Sequence, residues 1–469
     1  MNESQSDNRQ IEAQVLSWLH LLWQNSFLKF KIDGPWMLIM GFAMIIVLGT
    51  LLLKLPWAAA SGETLSWGEA FFTATSATTV TGLAVVTTST DFSLVGQVII
   101  LFLLQIGGVG FIAFSVLLFR LVGRRINLQT RFVVQQSLGA QKGSGVLQLA
   151  LYVLMITVIL EGIGAFFLWL RWRTQMPDGQ ALWYAIFHSI SSYCNAGFDL
   201  FAGSKQGVLF GFGNDWYTLT VMGLLVLAGG FGITVMYDLW SYHSESTLGL
   251  NTKFTLISTA IFTLLGLGIM LLDGNLYHLL GENYAWHENL AVSTFTIISA
   301  RTAGLTIIPL EQLSQSTQLL ILIWMFIGGA PASMAGGISS SAIAVIVVAV
   351  VATARGRSSA IFGRSLPVET IAKAVAILIV SIFLILSMTF ILAMRHEGEI
   401  FTVAFEVISA FSNTGYSLNF TSNLDTVGRC LIAFTMFWGR LGPLTIVIAL
   451  AQSEDPALIR YPEEPVILG

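Results

Sequence analysis

Four short stretches scattered along this 469-residue chain share one pattern, an apolar and aromatic segment that runs into small or hydroxylated residues and then a glycine. They read FFTATSATTVTGL (71–83), FHSISSYCNAGF (187–198), FTIISARTAGL (295–305) and FEVISAFSNTGY (405–416). Aligned without gaps on Gly82, Gly197, Gly304 and Gly415, they recur at intervals of 115, 107 and 111 residues. A solenoid repeat spans roughly 20–50 residues, so a period this long describes a whole subdomain. A second anchor follows each glycine: IGGVGF with Gly108, AGGFGI with Gly230, IGGAP with Gly329 and WGRLGP with Gly439, at offsets of 26, 33, 25 and 24.

The segments between these motifs are nearly free of charge. Residues 37–53, 147–170, 216–235, 254–272 and 374–394 are each long enough to cross roughly 30 Å of hydrocarbon as a helix. Only 10% of the chain is charged and 55% is hydrophobic, against about 25% charged in a soluble domain, which argues against a water-soluble fold. Residues 1–25 lack an apolar core followed by a cleavage site and read as a retained cytoplasmic tail. Two cysteines, Cys194 and Cys430, are too few for a disulfide framework or a cysteine-rich metal site.

Each unit thus reads as a long helix, a short helix ending in an irregular glycine loop, and a second long helix. The expected fold is an all-α integral membrane protein with four helix–pore helix–helix repeats around one central pore, eight transmembrane helices and four re-entrant loops. The expected boundaries are a tail at 1–33, repeats at 34–130, 131–243, 244–360 and 361–452, and a tail at 453–469. Two crossings per unit return the chain to its starting side, so both termini are expected in the cytoplasm of a multi-pass cell-membrane protein. On that topology fourteen of the 22 Lys and Arg residues fall inside and six outside, with Arg301 and Arg440 within the membrane, as the positive-inside bias favours. Arg171 and Arg173 run against it as outside residues able to snorkel at a helix end.

Irregular backbone at membrane depth is tolerable only where it is buried in protein or lines water. Four equivalent loops therefore have to face one another, and a ring of their carbonyls can replace the hydration shell of a monovalent cation. Glycine permits φ > 0 in such loops, and each short helix aims its negative dipole end at the axis. The expected filter is the backbone of Val80, Thr81 and Gly82; Asn195, Ala196 and Gly197; Thr302, Ala303 and Gly304; and Asn413, Thr414 and Gly415. One such motif alone is better explained by ordinary small-residue helix packing; four copies at similar spacing are not.

The third unit differs. Residues 316–354 form an almost uncharged run of 39 residues, which would be about 58 Å long as one helix, nearly twice the bilayer thickness. It has to bend or break, and the place is 328–337, with Gly328, Gly329, Pro331, Gly336 and Gly337. That loop is expected to act as a gate below the filter, the alternative being a static kink. Arg440, in the apolar stretch 431–450, has to face water or a partner. It reads either as a positive barrier completing the gate or as a structural partner for loop carbonyls. Arg301 is expected to pin the third loop from behind. Asp199 and Glu406 border loops two and four, as cation attractors or as caps.

Two other classes are weighed against a channel-like pore. An alternating-access secondary transporter of Na⁺ or another small solute also uses broken helices, but many of those have inverted repeats and these four units run the same way. An enzyme needs a catalytic constellation, and the six histidines are dispersed without HExxH or a paired-acid motif, so none is expected.

Taken with the loops, Lys54-Leu55-Pro56, TTVTGL, QIGGVGF, NAGFDL, ARTAGL, WGRLGPLT and the terminal RYPEEPVILG make the chain resemble the Trk/Ktr/HKT superfamily of potassium transporters over nearly its whole length. Eight crossings look like the KtrB membrane subunits of bacterial Ktr systems, whereas Trk subunits usually carry two further N-terminal helices. The resemblance implies K⁺ as the permeant ion, a homodimer with one pore per subunit, and a cytoplasmic ring of KtrA-like RCK regulatory subunits that carries the nucleotide. It implies no cofactor and no nucleic acid on this chain, membrane lipid around it, and Na⁺ as a candidate activator. In the plant branch a serine at the first filter glycine accompanies Na⁺ transport, so Gly82 favours K⁺. Two departures stand out: Ser339-Ser340 follows Gly336-Gly337-Ile338 where the family commonly reads GGIKT, and Cys194 falls where relatives often have asparagine.

Overall fold

A computed structural model describes residues 34–109, 146–201, 215–245, 248–280, 285–331 and 333–442. The tails 1–33 and 453–469, the 130/131 boundary, Lys205 and the basic residues between 120 and 142 lie outside the described residues. Helices dominate. The first segment contains α1 (Gly34–Leu53), α2 (Trp67–Thr78) and α3 (Leu94–Val109), and the second α4 (Val146–Trp172), α5 (Asp178–Tyr193) and α6 (Trp216–Glu245). The third contains α7 (Leu250–Leu271), α8 (Trp286–Thr302), α9 (Gln315–Phe326) and α10 (Ser340–Ala354); the fourth contains α11 (Val368–Arg395), α12 (Ile400–Ser412) and α13 (Thr426–Leu441). A two-stranded hairpin, β1 (Ala360–Ile361) with β2 (Arg364–Ser365), joins the third segment to the fourth. Its tip, Phe362 and Gly363, holds φ of 50° and 72°, the left-handed pair that tight two-residue hairpins require.

Local chemistry sets where these helices begin. Ser66 and Glu69 close a capping box on α2, with reciprocal bonds of 2.9 and 3.2 Å, which satisfies two amides that a bare N-terminus leaves open. Ser314 caps α9 at Thr317 N–H, Ser339 caps α10 at Ala342 N–H, and Asp425 caps α13 at Gly428 N–H. Ser339 thus has a defined place as a cap.

Among the described residues three helices are long and apolar enough to span a bilayer, Leu151–Trp172, Leu250–Leu271 and Val368–Arg395, with a fourth if the two arms of α6 count together. α6 is bent at Gly232, which holds φ 72° and ψ 167°. Of the helices that follow the short ones, α6 has 30 residues, whereas α9 has 12 and α13 16. Sixteen residues reach only about 24 Å.

The four short helices, α2, α5, α8 and α12, organise the packing. Each contacts the helices before and after it in its own segment, and each also meets a helix of the preceding segment: α3 packs on α5, α6 on α8, α9 on α12, and α13 on α2. The order closes on itself, so the four segments surround an axis.

Candidate functional site: a ring of four glycine loops

All four short helices end at the glycine loops. Gly82, Gly197, Gly304 and Gly415 hold φ of 87°, 70°, 61° and 93°, the region glycine enters without steric cost. Their surroundings repeat. A β-carbon on Gly82 would lie 2.5 Å from the Ala196 carbonyl oxygen, one on Gly197 2.7 Å from Ala303 O, one on Gly304 1.8 Å from Thr414 O, and one on Gly415 2.1 Å from Thr81 O. In every case the obstructing oxygen belongs to the residue before the next segment's glycine. The loops therefore touch in the cyclic order one, two, three, four, one, the same order as the helix packing. The side chains of Thr81, Ala196, Ala303 and Thr414 are buried.

The loops are not identical. In loops one, two and four a serine (Ser76, Ser191, Ser409) stands six residues before the glycine, and its carbonyl accepts from Thr81, Ala196 and Thr414 N–H at 2.8, 2.8 and 3.0 Å. In loop three Ser299 stands only five residues before Gly304, and Gly304 itself donates to the Ser299 carbonyl at 3.1 Å. The gapless alignment on the glycines is therefore corrected: matched on phenylalanine and serine, the third motif is one residue shorter. The missing residue is the one that turns left-handed elsewhere, at Val80, Asn195 and Asn413, with φ of 58°, 57° and 52°. Asparagine tolerates that conformation, whereas a β-branched valine there is a strained exception.

Those left-handed residues also tie each loop to its neighbours. Asn413 Nδ2 donates to Met436 O and to Thr81 Oγ1, both at 2.9 Å, which links loop four to loop one. Asn195, with its amide nitrogen facing the carbonyls, donates to Ser192 O and Val226 O at 3.1 Å and accepts from Gly230 N–H at 3.2 Å. The second glycine anchors have a steric reason. A β-carbon on Gly107, Gly229 or Gly439 would sit 2.0, 1.9 or 1.8 Å from the carbonyl oxygens of Thr78, Tyr193 or Phe411, at the end of the short helix. In the first two segments this is the residue before the expected anchors Gly108 and Gly230.

In the third segment the chain leaves the helix at Phe326 and resumes it at Ser340. The intervening loop closes on itself through Gly328 N–H to Ile338 O at 2.9 Å and Ser340 N–H to Gly329 O at 2.9 Å, with Gly337 at φ 76°. It reaches α6 through Ala330 N–H to Gly230 O and Met334 N–H to Gly229 O, at 3.0 and 3.2 Å. On its other side a β-carbon on Gly336 would lie 2.6 Å from Ser412 O and 2.3 Å from Asn413 Oδ1. The loop thus touches the second and fourth segments, which are opposite in the cyclic order. Proline at 331 occupies a partly buried position.

Arg440 holds the crossing. Its guanidinium donates to Met334 O in the loop and to Gly107 O and Gly108 O on α3, the last at 3.1 Å. The guanidinium is thus a partner for carbonyls of the loop and of α3. Arg301, 6% exposed, donates to Thr259 Oγ1 at 2.9 Å and to Gly328 O at 3.2 Å, with its guanidinium over the Phe262 ring. Asp199 and Glu406 act as ties within the protein: Asp199 meets His188 Nε2 at 2.9 Å, and Glu406, fully buried, accepts from Ser417 and Thr421 hydroxyls.

Sequence reasoning passed over two features. Tyr416 is buried and its hydroxyl donates to Thr296 O and Leu305 O at 3.2 and 3.3 Å, behind loop three. Glu161, the lone charge in 147–170, is buried and accepts from Gln105 at 3.0 Å beside Cys194. An isolated acid inside an apolar helix is the signal that would have found it.

The sequence profile of TrkH, described as a cation transport protein, matches residues 33–461. The chain belongs to the TrkH family. Its relatives include the Ktr system potassium uptake protein B of Bacillus subtilis (strain 168), 36% identical over 94% of this chain and 97% of that protein. The potassium/sodium uptake protein NtpJ of Enterococcus hirae is 32% identical over 92% of this chain and 96% of its own length. The crystal structure of the potassium transporter TrkH from Vibrio parahaemolyticus superimposes with a TM-score of 0.70, covering 90% of this chain and 86% of that one at 18% identity, a likeness of fold. TrkH membership makes this chain a multi-pass helical membrane protein of a transport family, and not an enzyme.

Proposed function

We propose that this protein is the K⁺-translocating membrane subunit of a Ktr-type potassium uptake system, with one pore at the centre of the glycine ring. The single observation that supports it most is the closed cyclic order of the four loops, in which each glycine abuts the carbonyl of the residue before the next segment's glycine. A dehydrated cation on that axis would meet four loops at once, each at the negative end of a short helix. On this reading the segments are four repeats, at 34–130, 131–243, 244–360 and 361–452, with eight crossings in all, and both tails are cytoplasmic. The filter is the backbone of Val80 to Gly82, Asn195 to Gly197, Thr302 to Gly304 and Asn413 to Gly415.

The loop with Gly328, Gly329, Pro331, Gly336 and Gly337 is the gate, latched by Arg440. An arginine bonded to three backbone carbonyls gives the loop a defined closed position, and each charge-assisted bond of this kind contributes about 1.5–3 kcal/mol. Opening would break the bond to Met334 and move the loop away from Gly229, Gly230 and Ser412. A homodimer and a cytoplasmic RCK ring that carries the nucleotide complete the system, as the similarity to a Ktr system protein supports. The name of the Enterococcus relative supports Na⁺ as the second ion of interest.

The test is ⁸⁶Rb⁺ uptake into liposomes that contain the purified protein, with and without competing K⁺ or Na⁺. Uptake blocked by K⁺ at far lower concentration than by Na⁺ is the expected result. Flux blocked equally by the two ions would contradict the filter assignment.

A further inference from the structure

The residue after the phenylalanine of each motif is polar in all four segments: Thr73, His188, Thr296 and Glu406. These are equivalent positions on the four short helices, and each is at least 97% buried. They divide into two kinds. In the second and fourth segments the side chain reaches the residue two places after the loop glycine. His188 Nε2 meets Asp199 Oδ1 at 2.9 Å, and Glu406 Oε2 accepts from Ser417 Oγ at 2.7 Å while its other oxygen accepts from Thr421 Oγ1. In the first and third segments the hydroxyls of Thr73 and Thr296 have no partner among the described residues. The two segments with this tie lie opposite each other in the ring, and the two that lack it at this position are opposite as well.

We propose that His188 and Glu406 are positioning residues for ion specificity, each fixing the outgoing limb of its filter loop to the short helix behind it. The proposal rests on the filter reading given above. Burying an ionisable side chain costs far more than burying a hydroxyl unless partners satisfy it, and on both helices such partners come from the limb that leaves the ring. His188 is further boxed by the rings of Trp172, Tyr184 and Phe201, with centroids at 5.3, 6.0 and 4.7 Å, and its Nδ1 lies 2.8 Å from the Tyr184 carbonyl. The imidazole therefore has little freedom to turn away from Asp199. Asp199 in turn accepts from the Phe201 amide at 2.8 Å, which turns the limb back toward the helix. Because the carbonyls of Ala196 and Thr414 stand in the same loops, freedom in either limb would let the ring adapt to a smaller or larger ion. The opposed placement of the two ties means that one diagonal of the ring is held from this position of the short helix, while loops one and three are held from elsewhere, with Gly82 N–H donating to Ser76 Oγ at 3.1 Å and Ser299 Oγ donating to Leu305 O at 3.0 Å.

The test is the ratio of the K⁺ and Na⁺ concentrations that half-block ⁸⁶Rb⁺ uptake by the full chain in liposomes, for wild type and four variants, with melting temperature recorded for each. Glu406→Ala and His188→Ala should lower the preference for K⁺ by about tenfold, the equivalent of one lost hydrogen bond to a charged group. Glu406→Gln keeps an acceptor for one hydroxyl but not for the second and should lower the preference by a smaller but measurable amount, while Thr296→Val, at the equivalent position without this tie, should leave it unchanged. A purely structural role would lower the melting temperature and the amount of uptake with the ratio intact, and that result would overturn the proposal. So would an equal loss of preference in Thr296→Val. If either alanine variant fails to fold, the Glu406→Gln and Thr296→Val pair decides, because a tie predicts a measurable shift in the first and none in the second. A wild-type protein without any K⁺ preference would instead bring down the filter reading itself.

Discussion

The third segment and the other three use the same parts to different ends. In segments one, two and four a glycine of the second helix, Gly107, Gly229 or Gly439, lies against a carbonyl in the last turn of the short helix, backbone on backbone. In segment three the helix stops at Phe326 and the corresponding contact is made by a side chain, with Arg301 reaching Gly328 O. The same segment lacks the left-handed residue of its loop. Close backbone packing has no slack, because nothing but the main chain can move, whereas a guanidinium on a long stem can release one carbonyl and take another. On the proposed gating, that difference leaves three segments as a fixed frame and makes the third the part able to move.

The largest break of this comparison comes from the ring itself. Gly304→Ala places a β-carbon 1.8 Å from Thr414 O at a φ of 61°, a clash on top of about 1–3 kcal/mol of backbone strain. Uptake of ⁸⁶Rb⁺ should be lost, whereas Gly197→Ala, whose β-carbon would meet Ala303 O at 2.7 Å, should retain a measurable rate. Equal rates in the two variants would mean that the closeness of the neighbouring carbonyl does not set the loss.

Next in size is the latch. Arg440→Ala removes the bonds to Met334, Gly107 and Gly108, and basal uptake without any regulatory subunit should rise about tenfold, the worth of one charge-assisted bond. A fall in uptake by a folded Arg440→Ala protein would mean that the loop between α9 and α10 is not a barrier.

The smallest effect concerns the start of α13. The hydrogen bond from Arg395, followed by the Gly428 N–H, holds the Asp425 carboxyl down to about 2. A depressed folded value means that its contribution to stability is complete above the usual carboxylate range, near 4, and is lost as pH falls through about 2. Asp425→Asn keeps the helix cap but not the ion pair, so its melting temperature should fall slightly below wild type at pH 6 and converge with it toward pH 2. A difference that grows on acidification would reverse the assignment.

How far these features could be read in advance depended on whether they leave a mark along one dimension. Gly82, Gly197, Gly304 and Gly415 stand out because the ring requires positive φ at each, and glycine is the residue that supplies it. The missing residue in loop three was hidden by aligning on the glycines, since the gap shows only when Phe295 and Ser299 are matched to Phe405 and Ser409. Adjacent glycines such as Gly107 and Gly108 differ in role only by the face of the helix they occupy, which no spacing rule resolves when both neighbours are small. Asp199 and Glu406 read equally as attractors or caps because their partners, His188, Ser417 and Thr421, become neighbours only once the loop has turned. Glu161 had a signal, a single acid in an apolar run, but its partner Gln105 comes from a different segment.

The measurement that bears most directly on the central claim is anomalous diffraction from crystals of the protein soaked in Rb⁺. A single peak on the axis of the ring, flanked by the carbonyls of Thr81, Ala196, Ala303 and Thr414 and displaced by K⁺ but not by equal Na⁺, is what this account predicts. A ring without bound Rb⁺ in crystals that hold the ion elsewhere in the membrane region would contradict it.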